Sequence, residues 1–445
     1  MAGPPPRRAD SNESAAPAPF ERVPAGSSRL AARHRRVQLE RTNLIVQTAF
    51  VSTYPPRRCG IATFTHDLAA AAGGGEIAVL HPAEQAPFYP AEVHHRIRKD
   101  EASDYLRTAR SLNDCVDVVS IQHEYGIWGG EDGEHVLDFA RALRVPVAAT
   151  LHTVLRDPTP HQRVVMRELV SIAEASVVMS SSAADLLSTA YGVDPRRVRI
   201  IPHGVPNVPL VDSSTVKSGL GVAGRDVILS FGLLGPGKGY ELAIDALPAV
   251  VAEHPKTLYV MVGATHPDLI LREGEAYRRS LADRVAKVGM EDHVLFIDRF
   301  VGKGELALWL QAADVFVTPY PNMAQIVSGT LSYAMGAGRA VVSTPYAYAA
   351  ELLADGRGVL VPPGSSEGLG ASLNQVLGDP VLRAAIGRRA YAHSRGMVWS
   401  AVGAQYTALF AELVAEAAED AEDDTPTSVV ERAPVAKREL VAAVG

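Results

Sequence analysis

Val227-Ile228-Leu229-Ser230-Phe231, followed by Gly232-Leu233-Leu234-Gly235-Pro236-Gly237-Lys238-Gly239-Tyr240 and then by Glu241–Glu253, decides the fold. The first five residues predict a buried strand, the glycines and proline break it, and Glu241–Glu253 carries the apolar spacing of a helix. A strand feeding a helix through a Gly-rich turn is the opening unit of a parallel sheet covered by helices.

The same rhythm continues downstream, with strands expected at Leu258–Val262, Val294–Ile297, Val315–Val317, Ala340–Ser343 and Gly358–Val361. It also holds upstream. Leu44-Ile45-Val46 with Ala49-Phe50-Val51 reads as a buried strand, Thr63 to Ala72 as a helix, and short apolar runs recur at Ile77–Leu80, Val116–Ile121, Val145–Leu151, Ala175–Met179 and Val198–Pro202. A Pro-, Ser- and Gly-rich stretch interrupts the alternation after Val205. The expected organisation is therefore a disordered leader over 1–42, a Rossmann-like domain over 43–205, a linker over 206–225, a second Rossmann-like domain over 226–396, a helical stretch over 397–418 placed by analogy across the first domain, and a disordered tail over 419–445.

Composition agrees with this division. A chain of 445 residues exceeds one ordinary α/β core, and two domains imply a cleft between them. With 47% hydrophobic and 21% charged residues the chain reads as globular, and no apolar run is long enough to predict a membrane span. A net charge of -7 argues against a nucleic-acid partner. The only cysteines, Cys59 and Cys115, fit a cytoplasmic location and exclude a disulfide framework or a cysteine-based zinc site. Residues 1–41 lack the apolar centre of a secretory signal. Within them, Arg29–Arg41 carries Arg33, Arg35 and Arg36, and reads either as solvated or as a contact to an acidic membrane surface.

Three loops carry candidate chemistry, because ligands of open α/β sheets sit at the carboxyl ends of strands. The first, Tyr54-Pro55-Pro56-Arg57-Arg58-Cys59-Gly60-Ile61-Ala62-Thr63-Phe64, offers Gly60 for close approach to a phosphate or sugar. The second places Lys238 where it can meet a diphosphate, yet it matches neither the P-loop nor the dinucleotide glycine fingerprint. The third, Pro319 to Thr330, ends in Ser328-Gly329-Thr330 at the expected start of helix Leu331–Met335. There the hydroxyls cap the helix, its N–H groups face phosphate or sugar oxygens, or both.

Taken with their positions these loops resemble glycosyltransferase family 4, over roughly Asn43 to Val414. The likeness rests on YPPRRCGIATF, IIPHGV (Ile200–Val205), GPGKG, AADVFVTPY (Ala312–Tyr320) and SYAMGAGRAVVSTP running into GVLVPPG. It implies the GT-B architecture, two Rossmann-like domains facing across a cleft, and retaining transfer of a sugar from a nucleotide-sugar donor to a glycan, lipid or small-molecule acceptor. Under the resemblance Lys238 contacts the donor phosphates, Gly60 lies beside the diphosphate, and a histidine of the first domain meets the transferring sugar. His152 in Thr150-Leu151-His152-Thr153 matches that histidine best. His123, with Glu124 and Tyr125, competes for it or contacts the acceptor, and for either histidine the alternative is a hydrogen-bonded core residue. Acceptor recognition would fall to loops such as Pro87–Pro90 and Tyr125–Asp132.

No cofactor is implied. The chain lacks Asp-x-Asp, the carboxylate pair expected for a metal-bridged diphosphate, and a fixed cation with helix-start N–H groups can stabilise the departing diphosphate instead. Two features depart from the family pattern. Leu233 stands where members place an arginine, and Gln325 and Tyr333 stand at the two positions of a Glu-x7-Glu pair that meets the donor sugar and the ribose. Those changes keep open a same-fold phosphorylase or epimerase, or a non-catalytic sugar- or partner-binding protein.

Overall fold

The computed structural model describes Gly3 and residues 46–83 and 88–423. Apart from Gly3, the expected leader, with Arg33, Arg35 and Arg36, lies outside the described residues, as do Leu44, Ile45, Pro87 and residues 424–445.

Two parallel sheets organise the molecule. The first contains β1 (Thr48–Ser52), β2 (Glu76–His81), β3 (Val93–Arg98), β4 (Val118–His123), β5 (Val147–Leu151), β6 (Ala175–Val178) and β7 (Val198–Ile200). Its spatial order is β3-β2-β1-β4-β5-β6-β7. The second contains β8 (Asp226–Phe231), β9 (Thr257–Val262), β10 (Val294–Ile297), β11 (Val315–Thr318), β12 (Ala340–Ser343) and β13 (Val359–Leu360), in the order β10-β9-β8-β11-β12-β13. Both orders turn back beside the first strand of the sheet, between β1 and β4 and between β8 and β11, which opens a crevice at the strand carboxyl ends. The fold is two Rossmann-like, doubly wound α/β domains.

Burial explains why these segments are strands. Every residue of β1, β4, β5, β9 and β11 is buried, as expected where helices cover both faces of a parallel sheet. Each enclosed Val, Leu, Ile or Phe contributes about 1.5–3 kcal/mol relative to exposure. The helices between carry one apolar face to the sheets, and all three loops singled out in the sequence follow strands at the crevice end.

Three elements differ from the sequence expectation. β3 was not foreseen: Val93-His94-His95-Arg96-Ile97-Arg98 has a half-exposed, polar pattern because it is an edge strand. Part of the expected linker is ordered as helix Ser214–Lys217, with Lys217 Nζ 2.5 Å from Asp314 Oδ2 and that carboxylate also accepting from the Val227 N–H at 2.7 Å. The last helix, Trp399–Asp423, runs past the expected end at 418, since no proline or glycine interrupts it there and alanine and glutamate favour helix. That helix lies on the first domain: Tyr406 Oη is 3.0 Å from Thr150 Oγ1 on β5, and a Cβ on Gly403 would stand 2.3 Å from the Ala71 carbonyl oxygen.

Candidate active site

Glycines bring two loops of the second domain together. Gly239 has φ 71°, and a Cβ there would stand 2.0 Å from the Pro319 carbonyl oxygen, so the loop after β8 rests on the loop after β11. A Cβ on Gly263 would likewise collide with the Gly232 carbonyl oxygen at 1.9 Å. The approach sets the Lys238 ammonium 4.5 Å from the Tyr320 ring centroid. Tyr320 Oη is 2.8 Å from Thr330 Oγ1, and Thr330 Oγ1 is 3.1 Å from Ser328 Oγ. Ser328 caps helix Gly329–Gly336, accepting from the Leu331 N–H at 3.3 Å. A cation, two hydroxyls and a helix start therefore share one wall, and first-turn N–H groups have no intrahelical acceptor.

The opposite wall comes from the ends of β4 and β5. The His152 N–H donates to the His123 carbonyl oxygen at 3.0 Å, and His152 Nε2 lies 2.9 Å from Gln122 Oε1. The Gln122 amide donates to Ser120 Oγ at 3.2 Å, which orients its oxygen toward His152, so Nε2 holds the proton and the ring is neutral. Burial, with the neighbouring His203 and His123, lowers the His152 pKa to about 3. His123 is fully enclosed and burial lowers it to about 4; neither of its ring nitrogens has a hydrogen-bond partner among the described residues. Burial raises the Glu124 carboxyl, against the Thr153 hydroxyl and the Gly126 and Tyr125 N–H groups, which act the other way. Tyr125 Oη donates to the Gln162 carbonyl oxygen at 3.4 Å.

Phe64 and His203 connect the walls. The Phe64 ring meets His152 edge-on at 4.8 Å and His203 at 5.2 Å between centroids. His203 Nδ1 lies 2.8 Å from the Gly204 carbonyl oxygen, and a Cβ on Gly329 would stand 2.7 Å from His203 Nε2. His152, His203 and the helix start at Gly329 thus form one continuous surface. Gly60 opens helix Gly60–Ala71 on the same side, capped by Cys59 Sγ accepting from the Ala62 N–H at 3.3 Å. Among the described residues nothing stands within 4 Å of a Cβ built on Gly60.

The three positions expected to depart from the family pattern, Gln325, Tyr333 and Leu233, have different surroundings. Gln325 turns its amide back to the Val327 carbonyl oxygen at 2.8 Å. Tyr333 is buried between Phe231 and His203, at ring distances of 6.1 and 6.0 Å, with its phenol beside Asp67 and the Trp399 indole. Burial pushes that phenol well above its ordinary pKa, with Asp67 adding in the same direction. Leu233 is half-buried in the Lys238 loop.

Several site-lining residues escaped the sequence reading. His203 stands inside the quoted IIPHGV, where a histidine directly after a short strand was the available signal. Asp67 pairs with Lys303, 236 positions away in the chain, and no local pattern announces such a pair. Outside the cleft, Glu131, Asp132 and His161 bring ligand atoms within 4.8 Å of one another, but Asp132 already bonds His161 Nδ1 at 3.1 Å and the Gln162 amide at 3.2 Å.

Among the described residues no helix is long and apolar enough to cross a membrane. Residues 59–207 match the family profile described as Glycosyltransferase Family 4, and residues 215–393 that described as Glycosyl transferases group 1. The chain is 28% identical over 291 residues to a D-inositol 3-phosphate glycosyltransferase of Kineococcus radiotolerans, covering 58% of this chain and 64% of that protein. It is 24% identical to a GDP-mannose-dependent monoacylated alpha-(1-6)-phosphatidylinositol monomannoside mannosyltransferase of Corynebacterium glutamicum, covering 80% of this chain and 94% of the relative. The chain spans slightly less than two thirds of the length of the inositol-phosphate glycosyltransferases it matches. Anabaena HepE, solved in complex with UDP, shares the fold with a TM-score of 0.67 at 18% identity, over 82% of this chain and 100% of that one. With both sheets matched by family profiles and by solved structures, the chain belongs to glycosyltransferase family 4 and has the GT-B fold.

Proposed function

We propose that the protein is a hexosyltransferase that moves a sugar from a nucleoside-diphosphate donor to a hydroxyl acceptor with retention of configuration and without a divalent metal. The observation that carries this reading is the pairing of Lys238 with the helix start at Ser328-Gly329-Thr330, opposite His152 and Gly60. As the bond from the sugar to the diphosphate breaks, negative charge grows on the departing oxygen. Lys238 and the first-turn N–H groups of helix Gly329–Gly336 are already in place to stabilise it, so little reorganisation accompanies the step. Gly60 leaves room for the diphosphate against the start of its own helix. His152, neutral and fixed by Gln122, offers the transferring sugar a hydrogen bond without adding charge, and Gln325 is the nearest counterpart of a sugar-binding carboxylate. Glu124 and Tyr125 stand on the acceptor side, with the fully enclosed His123 packed against Tyr125.

Named relatives support the donor class without choosing the nucleotide, since one depends on GDP-mannose and one neighbour was solved with UDP. Lys238→Ala is expected to lower turnover about 10²- to 10³-fold with the fold intact, the scale of losing one preorganised charge-stabilising group. A panel of nucleotide sugars checks this by released nucleoside diphosphate; a folded protein that neither binds nor turns over any of them defeats the reading. Tyr333, a buried phenol beside Asp67 at the position where the family resemblance expects a ribose-gripping carboxylate, favours a second reading in which inorganic phosphate replaces the nucleotide. Phosphate-dependent cleavage of a disaccharide without nucleotide would establish it.

A further inference from the structure

β3 builds a second polar concavity, outside the cleft. It forms the free edge of the first sheet, and helix Ala102–Leu112 packs beside it. A groove of about 360 Å³ lies between them, lined by His94, His95, Arg96, Arg107, Thr108 and Ser111. Each of those side chains can donate hydrogen bonds and none is a carboxylate.

Two nearby acids hold several of the donors. Glu76 Oε2 lies 2.7 Å from His94 Nδ1 and 3.7 Å from His95 Nε2. Asp104 is enclosed and gripped by Arg98 through Nε and Nη2 at 2.8 and 2.9 Å, and it also takes Arg107 Nη2 at 2.7 Å. Arg107 keeps its other guanidinium donors for the groove. Arg96 rests 5.5 Å from the Tyr89 ring centroid and forms no ion pair among the described residues. Scattered charge on an edge strand serves to discourage pairing with another chain. Here Arg107 is instead anchored on Asp104 and Arg96 on Tyr89, and the two guanidinium groups line one concavity with two hydroxyls, an arrangement by which planar donors receive a tetrahedral anion.

We propose that this groove binds a phosphomonoester, with Arg96 and Arg107 donating to its oxygens, Thr108 and Ser111 completing the contact, and His94 and His95 at the rim. The site shares no residue with the cleft, so it stands whether or not the sugar-transfer reading does. The shared chemistry has two sources, a soluble phosphate ester and the headgroup of a lipid such as phosphatidic acid.

The test titrates the full chain with glycerol phosphate by calorimetry and sediments it with phosphatidylcholine vesicles with and without phosphatidic acid. The wild type is expected to bind at least one probe, and R96Q/R107Q to bind that probe about tenfold or more weakly, since each charge-assisted contact is worth roughly that factor. Binding of glycerol phosphate alone identifies a soluble ester, and binding of the acidic vesicles alone a lipid headgroup. R96Q by itself leaves the partners of Asp104 in place and is expected to weaken binding severalfold if the double variant does not fold. Absence of binding to both probes, or equal binding by the folded variants, overturns the proposal.

Discussion

His152, His123 and His203 are three imidazoles that folding keeps neutral, with burial the largest cause in each and pKa values lowered to about 3, 4 and 4. An unfolded histidine protonates near 6.5, so between that value and about 4 the unfolded chain binds more protons than the folded one. Stability is therefore complete above about pH 6.5 and falls as the solution is acidified, a direction that Asp104, held below the usual carboxylate range chiefly by Arg98, reinforces at lower pH. The urea midpoint is expected to drop clearly between pH 7 and pH 5, and to drop less in His152→Gln, whose amide has no proton to gain. A midpoint unchanged across that interval would contradict the burial of these rings. Of the three, the sequence reading named His152 and His123 through the family resemblance, His152 just after β5 and His123 at the end of β4. His203 follows a strand of only three residues, and its importance comes from contact with Gly329 and Phe64.

At the scale of elements, glycines decide where the Lys238 loop sits. Gly239→Ala must place a Cβ 2.0 Å from a backbone oxygen at φ 71°, and is expected to cost about 1–3 kcal/mol or more in urea unfolding while displacing Lys238. Gly60→Ala is the contrasting variant. Its Cβ would meet nothing within 4 Å among the described residues and helix favours alanine, so the fold should be as stable or slightly more so, while under the proposed function donor affinity falls because the methyl group enters the space proposed for the diphosphate. A Gly60→Ala protein with unchanged donor affinity would remove Gly60 from the site. The element that sequence patterning missed, β3, failed for a physical reason: an edge strand buries few side chains, so His94, Arg96 and Arg98 erase the apolar run by which its neighbours were recognised.

Across the whole molecule, the seam between the domains carries specific polar contacts beside its apolar packing. Glu351 of the second domain accepts from the N–H groups of Ser181 and Ser182 at 2.8 and 3.1 Å, at the start of helix Ser181–Tyr191, and Ser180 Oγ donates to the Ile326 carbonyl oxygen at 3.1 Å. Lys303 and Asp67 make a second link between the domains. Replacing Glu351 by Gln keeps the shape and removes the charge from the helix start, which is expected to cost about 1 kcal/mol. The loss should appear as a lower melting temperature, partly recovered by a saturating nucleotide sugar, because a ligand of the folded state raises apparent stability. An identical melting temperature would show that the seam contributes nothing.

By itself the sequence determined the alternation of buried strands and helices, the doubly wound sheets, and the loops on which Gly60, His152, Lys238 and Ser328 stand. Each of these follows from side chains within one strand or one turn of the chain, where periodicity and glycine content are local properties. Only the tertiary structure decided that His203 touches Gly329, that Tyr333 lies beside Asp67, that Asp67 meets Lys303, and that the edge strand and its neighbouring helix enclose a basic groove. Most of those partners are far apart in sequence and meet because two sheets and a returning helix pack together, and no short-range pattern of residue types encodes which side chains such packing will oppose.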